Sequence, residues 1–248
     1  MEREAEGIEP LRLATSPSRS AAVPALTAGE AVVWRLYAPS HRPLPALAFS
    51  LLDAAERDRA GRLQDESARR LFIIAHAMLR RVLSAVAGMA PQDVRYVRTP
   101  QGKPFWPGGP EFSLSHAGDC VVVAVCPDSP LGVDVEPRRR LPDADAIVRQ
   151  FFAPEEQHAY RQHAPADREL AFLTAWTRKE AYVKALGDGL SVPPSAFAVS
   201  LDDPPRLLRP WAKAAGPAPR LWNLPLGPGR IGALAGHVHR LTCRDFRL

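Results

Sequence analysis

Carboxylates and a lysine are concentrated in two short segments of this chain, one around Asp134 and one around Glu180. The first segment reads as a strand, in which Asp134 and Glu136 share a face because residues two apart in a strand point the same way. The second reads as a helix, in which Glu180 and Lys184 lie four apart on neighbouring turns of one face. Three carboxylates and a lysine brought together could hold a hard divalent cation and a phosphate group at once.

Each of these groups also has an ordinary structural explanation. Asp134 and Glu136 could be charges on an exposed strand face, although two like charges there repel each other unless a cation neutralises them. Glu180 and Lys184 could be a surface ion pair, which contributes only about 0.2–0.5 kcal/mol to helix stability. The spacing alone leaves both interpretations open.

A longer pattern connects the two segments. The pieces Gly102-Lys103-Pro104 and Phe112-Ser113-Leu114-Ser115-His116 come first, followed by GVDVEP at 132–137 and WTRKEAYVKALGDGL at 176–190. These four pieces, in this order, resemble the signature of Sfp-type 4′-phosphopantetheinyl transferases, roughly G-(V/I)-D-(V/I)-E followed by W-x-x-K-E-A-x-x-K-A-x-G-x-G-L. Ser113 stands where an asparagine is frequent in that family, and this departure removes no charged group.

The resemblance implies an enzyme that moves the 4′-phosphopantetheine arm of coenzyme A onto a serine of an apo carrier protein and releases 3′,5′-ADP. It implies that Asp134, Glu136 and Glu180 hold Mg²⁺. Glu180 would accept the serine proton, directly or through a metal-bound water, and Lys184 would stabilise the leaving phosphate. The catalytic prediction is therefore Glu180, Lys184 and Asp134.

The resemblance also implies which residues bind coenzyme A. The expected set is Arg70, Gly102, Lys103, Pro104, Ser115, His116, Lys179 and Lys184. Arg69 is an alternative to Arg70 for the 3′-phosphate. For Lys179 the helical pattern leaves open whether its ammonium touches phosphate or anchors the fold, whereas Trp176 is expected to be core packing.

Two other classes of function stay open at this point. One is a catalytically silent module that binds coenzyme A or a carrier protein, although such a relative would be expected to lose at least one of the charged residues. The other is a magnesium-dependent hydrolase that cleaves the pyrophosphate without a carrier. The carrier itself could belong to a fatty acid, polyketide or nonribosomal peptide synthase, and Arg138–Arg140 could help to steer it because such carriers are typically acidic.

The composition is that of a water-soluble globular protein. The chain has 248 residues, of which 46% are hydrophobic and 24% charged, with a formal net charge of +5. We expect no nucleic-acid partner, because the basic residues form no run and no aromatic-interleaved RNA motif is present. No apolar stretch is long enough to cross a membrane, the N-terminus does not resemble a secretory signal, and the three cysteines have no metal-ligand spacing, so we expect a cytoplasmic protein. We also expect a monomer.

Hydrophobic periodicity predicts mixed strands and helices, which is an α+β fold. Strands are predicted at 31–37, 112–115, 121–126, 132–136, 196–201, 220–224, 231–238 and 240–246, and helices at 51–64, 67–87, about 154–161 and about 166–186. The predicted division is a leader at 1–30, an N-terminal lobe at 31–128 and a C-terminal lobe at 129–248 that carries the metal site. The family resemblance implies that these lobes are similar and related by a pseudo-twofold axis, with a cofactor cleft between them.

Overall fold

The computed structural model describes residues 26–187 and 189–248 of the chain. The predicted leader at 1–30 therefore lies largely outside the described residues. The helices are α1 (Ala54–Arg62), α2 (Glu66–Ala87), α3 (Ala144–Phe151), α4 (Pro154–Gln162) and α5 (Arg168–Leu186). The strands are β1 (Glu30–Tyr37), β2 (Val97–Arg98), β3 (Pro104–Phe105), β4 (Glu111–Ala117), β5 (Cys120–Cys126), β6 (Leu131–Pro137), β7 (Ala198–Val199), β8 (Leu207–Arg209), β9 (Arg220–Asn223), β10 (Arg230–Gly236) and β11 (Arg240–Asp245).

The first sheet has four strands in the order β11-β1-β5-β4, and α2 packs against it. Every residue of β5 is buried, as its uninterrupted apolar sequence predicts. Helix α2 begins where the Asp65 side chain accepts a hydrogen bond of 2.6 Å from the backbone N–H of Ala68, and it ends at Gly88 in the left-handed conformation. Leu71, Ile74 and Met78 on this helix join the sheet residues in one core.

The second sheet has three strands in the order β6-β10-β9, and α5 packs against it. Between the two sheets lies a second core, to which Val133 and Val135 of β6 contribute together with Val122 and Ala124 of β5. Both valines of β6 are buried. Because side chains alternate along a strand, Asp134 and Glu136 must face the opposite way, toward α5.

Glycine at position 132 permits the close approach of β6 and α5. A Cβ atom at Gly132 would lie 2.2 Å from the carbonyl oxygen of Ala181 and 2.4 Å from the backbone nitrogen of Ala185. Backbone atoms of the helix therefore occupy the space that any side chain would need. This contact sets the distance between the strand that carries Asp134 and the helix that carries Glu180 and Lys184.

The last strand of the chain belongs to the first sheet. Strand β11 pairs in parallel with β1, with Glu30 opposite Arg240 and Arg35 opposite Asp245. The Arg35 Nε atom also donates a 2.7 Å hydrogen bond to the Asp245 carboxylate. The chain thus returns from the second sheet to the edge of the first.

The predicted mixture of strands and helices is confirmed, with departures in detail. Helix α3 was not predicted, and neither was the hairpin of β2 and β3. The strand expected at 196–201 shrinks to the two residues of β7, and its partner β8 was not predicted. The pseudo-twofold relation and the division near residue 128 stay predictions.

No helix among the described residues combines the length and the apolar character that a membrane span requires. The three cysteines are free thiols; Cys120 and Cys126 are buried and Cys243 is partly exposed.

Candidate active site

Asp134 is the centre of the charged cluster. Its side chain is only 9% exposed, and its Oδ1 atom accepts hydrogen bonds from Lys184 Nζ at 2.6 Å and from Ser115 Oγ at 2.9 Å. Lys184 Nζ also donates to Ser115 Oγ at 3.2 Å. Strands β4 and β6, from the two different sheets, and helix α5 therefore bring together three residues that lie far apart in the sequence.

Glu136 and Glu180 lie close enough to Asp134 for its negative charge to raise the pKa of both. Burial raises the pKa of Glu180, and the negative charges of Asp134 and Glu136 raise it further, while Lys184 partly opposes them. The pKa of Glu136 is likewise raised, first by burial and then by Asp134. Arg139 Nη2 lies 3.7 Å from the Glu136 carboxylate, and its positive charge partly offsets the rise in the pKa of Glu136. The three predicted carboxylates thus form one electrostatic group.

The donor set fits a hard cation. Asp134 Oδ2 is buried without a hydrogen-bond partner in the described part of the chain, which is costly for a carboxylate oxygen and is relieved by a metal ion. Within residues 26–187 and 189–248, no three His, Cys, Asp or Glu side chains form a complete metal-binding group. Mg²⁺ does not need one, because it commonly takes one or two protein carboxylates and fills its other positions with waters and substrate phosphates.

A cleft of about 710 Å³ opens beside this cluster. Asp134, Glu136 and Lys184 line it together with Ser115 and His116 of β4 and with residues of α1 and α2. Burial, with the nearby positive charges of Lys184 and Arg59, lowers the pKa of His116 to about 4, so its imidazole is neutral at neutral pH. The structure thus places His116 and Ser115 in the lining of the same cleft.

A second cavity, of about 340 Å³, also has Lys184 in its lining. Glu180 lines it together with Gly102, Lys103 and Pro104. Gly102 has φ +89°, a conformation that favours glycine, and it forms the turn between β2 and β3. Burial lowers the pKa of Lys103, whose Nζ donates to the carbonyl of Leu131 at 3.2 Å.

The contacts of Lys179 favour the anchoring role over cofactor binding. Its Nζ donates to both carboxylate oxygens of Glu156 at 2.7 Å and to the carbonyl of Phe197 at 2.9 Å. The same ammonium lies 4.2 Å from the centroid of the Phe197 ring, and its side chain is 3% exposed. All three donors are satisfied inside the protein, so Lys179 anchors α5 to α4 and the following segment.

Arg70 also lies elsewhere than expected. It donates from Nη1 to the carbonyl of Ala38 at 2.9 Å and lines a cavity formed with the end of β1 and the chain after β11. Arg69, the alternative, also lies away from the cleft. Neither arginine is in the lining of this cleft, and cofactor binding by Arg70 stays a prediction.

Arg59 of α1, Arg98 of β2 and His76 of α2 line the cleft, and sequence reasoning missed them. For Arg98 a signal was present, because a turn at Gly102 implies a hairpin that sets Arg98 opposite Pro104. For Arg59 and His76 the chain offers no local signal. Trp176 stacks on Phe172 with ring centroids 5.7 Å apart, which confirms its predicted role in the core.

The geometry is that of an α+β protein whose cleft suits phosphate-bearing ligands. Residues 130–224 match the family model of the 4′-phosphopantetheinyl transferase superfamily, and residues 36–128 match the model of the N-terminal part of 4′-phosphopantetheinyl transferases. The chain is 32% identical over 173 residues to the 4′-phosphopantetheinyl transferase HetI of Nostoc sp., which covers 67% of this chain and 72% of that protein. It is 27% identical over 155 residues to the 4′-phosphopantetheinyl transferase Sfp of Bacillus subtilis, covering 62% of this chain and 68% of the relative.

The chain therefore belongs to the 4′-phosphopantetheinyl transferase superfamily, and it is an enzyme of the transferase class.

Proposed function

We propose that this enzyme transfers 4′-phosphopantetheine from coenzyme A to a serine of an apo acyl or peptidyl carrier protein. The serine Oγ attacks the β-phosphorus of the pyrophosphate, the bond from that phosphorus to the bridging oxygen breaks, and 3′,5′-ADP leaves. The enzyme needs no nucleophile of its own, since the carrier supplies it. The observation that carries the proposal is the Asp134–Lys184–Ser115 cluster, which lines the cleft and whose Lys184 also lines the second cavity.

Asp134, Glu136 and Glu180 would hold Mg²⁺, with the buried and unpartnered Oδ2 of Asp134 as the first ligand. The ion would neutralise charge on the pyrophosphate oxygens. Lys184 Nζ already touches Asp134, and its positive charge suits the phosphate group that develops on the leaving side.

Glu180 is proposed as the group that accepts the serine proton. A carboxylate with an ordinary pKa is a weak base at neutral pH, and a raised pKa brings it closer to the pH at which it works. Burial and the charges of Asp134 and Glu136 act in that direction. Glu180 lines the second cavity together with Lys184.

The remaining contacts would hold coenzyme A in place. Ser115 and His116 would contact the pyrophosphate, and Gly102, Lys103 and Pro104 would approach the nucleotide with their backbone and ammonium groups. Arg59 and Arg98, both in the cleft lining, would take the place that sequence reasoning gave to Arg70. Much of the rate would come from positioning and electrostatics, as in other phosphoryl transfers.

The exposed arginines at 138–140 are proposed to steer an acidic carrier protein toward the cleft. Arg139 supports this role because it also pairs with Glu136, which places the basic patch beside the proposed metal ligands. Two similar lobes at 31–128 and 129–248 around a pseudo-twofold axis, a cytoplasmic location, a monomeric state and the lack of a nucleic-acid partner are proposed on the sequence arguments alone.

The test is intact-mass spectrometry of several apo carrier proteins incubated with the enzyme, coenzyme A and Mg²⁺. A gain of one phosphopantetheine group on a carrier serine is expected, and removal of the metal with EDTA should abolish it. Transfer that survives both EDTA and Asp134→Ala would overturn the metal assignment. Coenzyme A cleavage without any carrier would instead establish a hydrolase, and coenzyme A binding without transfer to any carrier would establish a silent binding module.

A further inference from the structure

Strands β4 and β6 lie against each other, but no ladder of backbone hydrogen bonds joins them in the described part of the chain. Each is the outermost strand of its own sheet, β4 beside β5 and β6 beside β10. The free edge of such a strand presents backbone N–H and C=O groups, which need partners where they are buried. At this seam between the two sheets, side chains supply those partners.

Ser113 of β4 is one of these side chains. Its Oγ atom accepts a hydrogen bond of 3.0 Å from the backbone N–H of Val133. Val133 is fully buried and Ser113 is only 5% exposed, so the bond is shielded from water. Two residues earlier on the same strand, the carbonyl of Leu131 accepts from Lys103 Nζ at 3.2 Å. The free edge of β6 is therefore held by side chains.

Ser115, two residues after Ser113, holds the next residue of β6. The two serines share a face of β4, because side chains alternate along a strand. Ser115 Oγ donates to Asp134 Oδ1 at 2.9 Å, and Lys184 Nζ donates to the same oxygen at 2.6 Å. Asp134 thus has one carboxylate oxygen held by two donors, while the backbone one residue before it is held by Ser113.

These contacts determine where the other carboxylate oxygen of Asp134 lies. Oδ2 is buried and has no hydrogen-bond partner among the described residues. Because the backbone beside Asp134 and its Oδ1 atom are both held, the side chain has little freedom to turn Oδ2 elsewhere. Mg²⁺ demands a near-ideal octahedral arrangement of its ligands, so the position of this oxygen matters.

We propose that Ser113 is a positioning residue, which holds β6 so that Asp134 Oδ2 can bind the metal ion. The inference rests on the proposed function, under which Asp134 is a ligand of Mg²⁺. Residues that orient a metal ligand without touching the metal commonly change metal affinity about ten- to a hundredfold. Ser113 also lines the second cavity, so its effect on the metal has to be measured separately from its effect on coenzyme A.

The test is the Kd of Mn²⁺, a paramagnetic replacement for Mg²⁺, for enzyme saturated with coenzyme A. Electron paramagnetic resonance measures the free Mn²⁺, and coenzyme A without enzyme is the blank. Ser113→Ala is expected to raise this Kd about ten- to a hundredfold, because the N–H of Val133 loses its acceptor. Calorimetric binding of coenzyme A without metal should change little.

Ser84→Ala is the control for the loss of a buried serine hydroxyl. Ser84 is 7% exposed, its Oγ donates to the carbonyl of Met89 at 2.6 Å, and it lines neither the cleft nor the second cavity. This variant should leave the Kd of Mn²⁺ unchanged.

Two variants of nearly equal shape isolate the hydrogen bond from bulk. Ser113→Thr and Ser113→Val both add carbon at the same position, but only threonine retains a hydroxyl oxygen that can accept from Val133. The Kd of Mn²⁺ should therefore be about ten- to a hundredfold higher for Ser113→Val than for Ser113→Thr. Any effect of the larger side chain on folding is common to both.

Equal Kd values for Ser113→Thr and Ser113→Val, or a wild-type Kd for Ser113→Ala, would contradict the inference. Loss of metal-free coenzyme A binding to the same degree as Mn²⁺ binding would also contradict it, because that result indicates a general structural role. Failure of the proposed function is a different result. In that case the wild-type enzyme would bind Mn²⁺ with the expected dependence on position 113 and still modify no carrier.

Discussion

Lys179 and Lys184 are five residues apart on one helix and have opposite environments. Lys184 is 31% exposed and reaches Asp134 at the cleft, whereas Lys179 is enclosed by Glu156 and the Phe197 ring. The helical repeat turns them to different sides of α5. One lysine is therefore available to a ligand, and the other is part of the interior.

We predict that Glu180→Gln lowers the rate of transfer about 10²- to 10⁴-fold, the usual effect of losing a general base. Binding of coenzyme A in the absence of Mg²⁺ should change little, because the substitution retains the shape of the side chain. Steady-state transfer and calorimetric binding measure the two effects. Glu66→Gln, on an exposed position of α2, is the control, and a Glu180→Gln enzyme of wild-type rate would exclude the proposed base.

Lys179→Met should destabilise the fold by about 3–5 kcal/mol, because it leaves the carboxylate of Glu156 buried without its cation. Urea unfolding measures the change, and Lys213→Met at an exposed position should have little effect. The fraction that stays folded should bind coenzyme A normally. Weaker coenzyme A binding at unchanged stability would return Lys179 to the cofactor site.

At the scale of elements, the contact of β6 with α5 determines the geometry of the site. Gly132→Ala should weaken coenzyme A binding and transfer together, because the new methyl group would overlap backbone atoms of α5 and push Glu180 and Lys184 away from Asp134. Gly61→Ala in α1 is the matched control, since its Cβ would meet no atom within 4 Å. That control should stabilise the protein by about 0.5–1 kcal/mol. Normal transfer by Gly132→Ala would show that the activity does not depend on the separation of β6 and α5.

The elements that carry the site were predictable because they have strong local patterns. The apolar alternation of β6 fixes its two faces, and α5 is a long helix that ends at Gly187. Helix α3 escaped prediction because it has only eight residues, of which just Ala144 and Val148 are buried, and no side chain caps its start.

Side-chain direction was less predictable than the elements. The middle of α2 is buried on nearly every side, so its periodicity does not identify which face Arg70 and His76 belong to. Lys179 finds its partner Glu156 on another helix, 23 residues earlier. Contacts of this kind depend on tertiary packing, which no local pattern encodes.

At the scale of the whole molecule, the neutral state of His116 links stability to pH. Burial is the main cause that lowers its pKa from 6.5 to about 4, so between these values the unfolded chain binds a proton that the folded chain does not. The fold should therefore lose stability as the pH falls through this window, by at most about 1.4 kcal/mol per pH unit.

Urea unfolding between pH 7.5 and 4.5 measures that slope, and His116→Asn should make it shallower. Glu56 does not interfere, because its lowered pKa removes stability only as the pH falls from 4.5 toward 2. Identical slopes for the two proteins would show that His116 titrates normally in the folded state.

The parallel pair of β1 and β11 has a consequence for how the protein is made. A ribosome releases β1 early and β11 some two hundred residues later, after the whole second sheet. Until then the outer edge of β1 presents unpaired backbone groups, which other nascent chains can join. Completion of the first sheet must therefore wait until synthesis has passed residue 245, and a chaperone that covers this edge should raise the yield of folded enzyme.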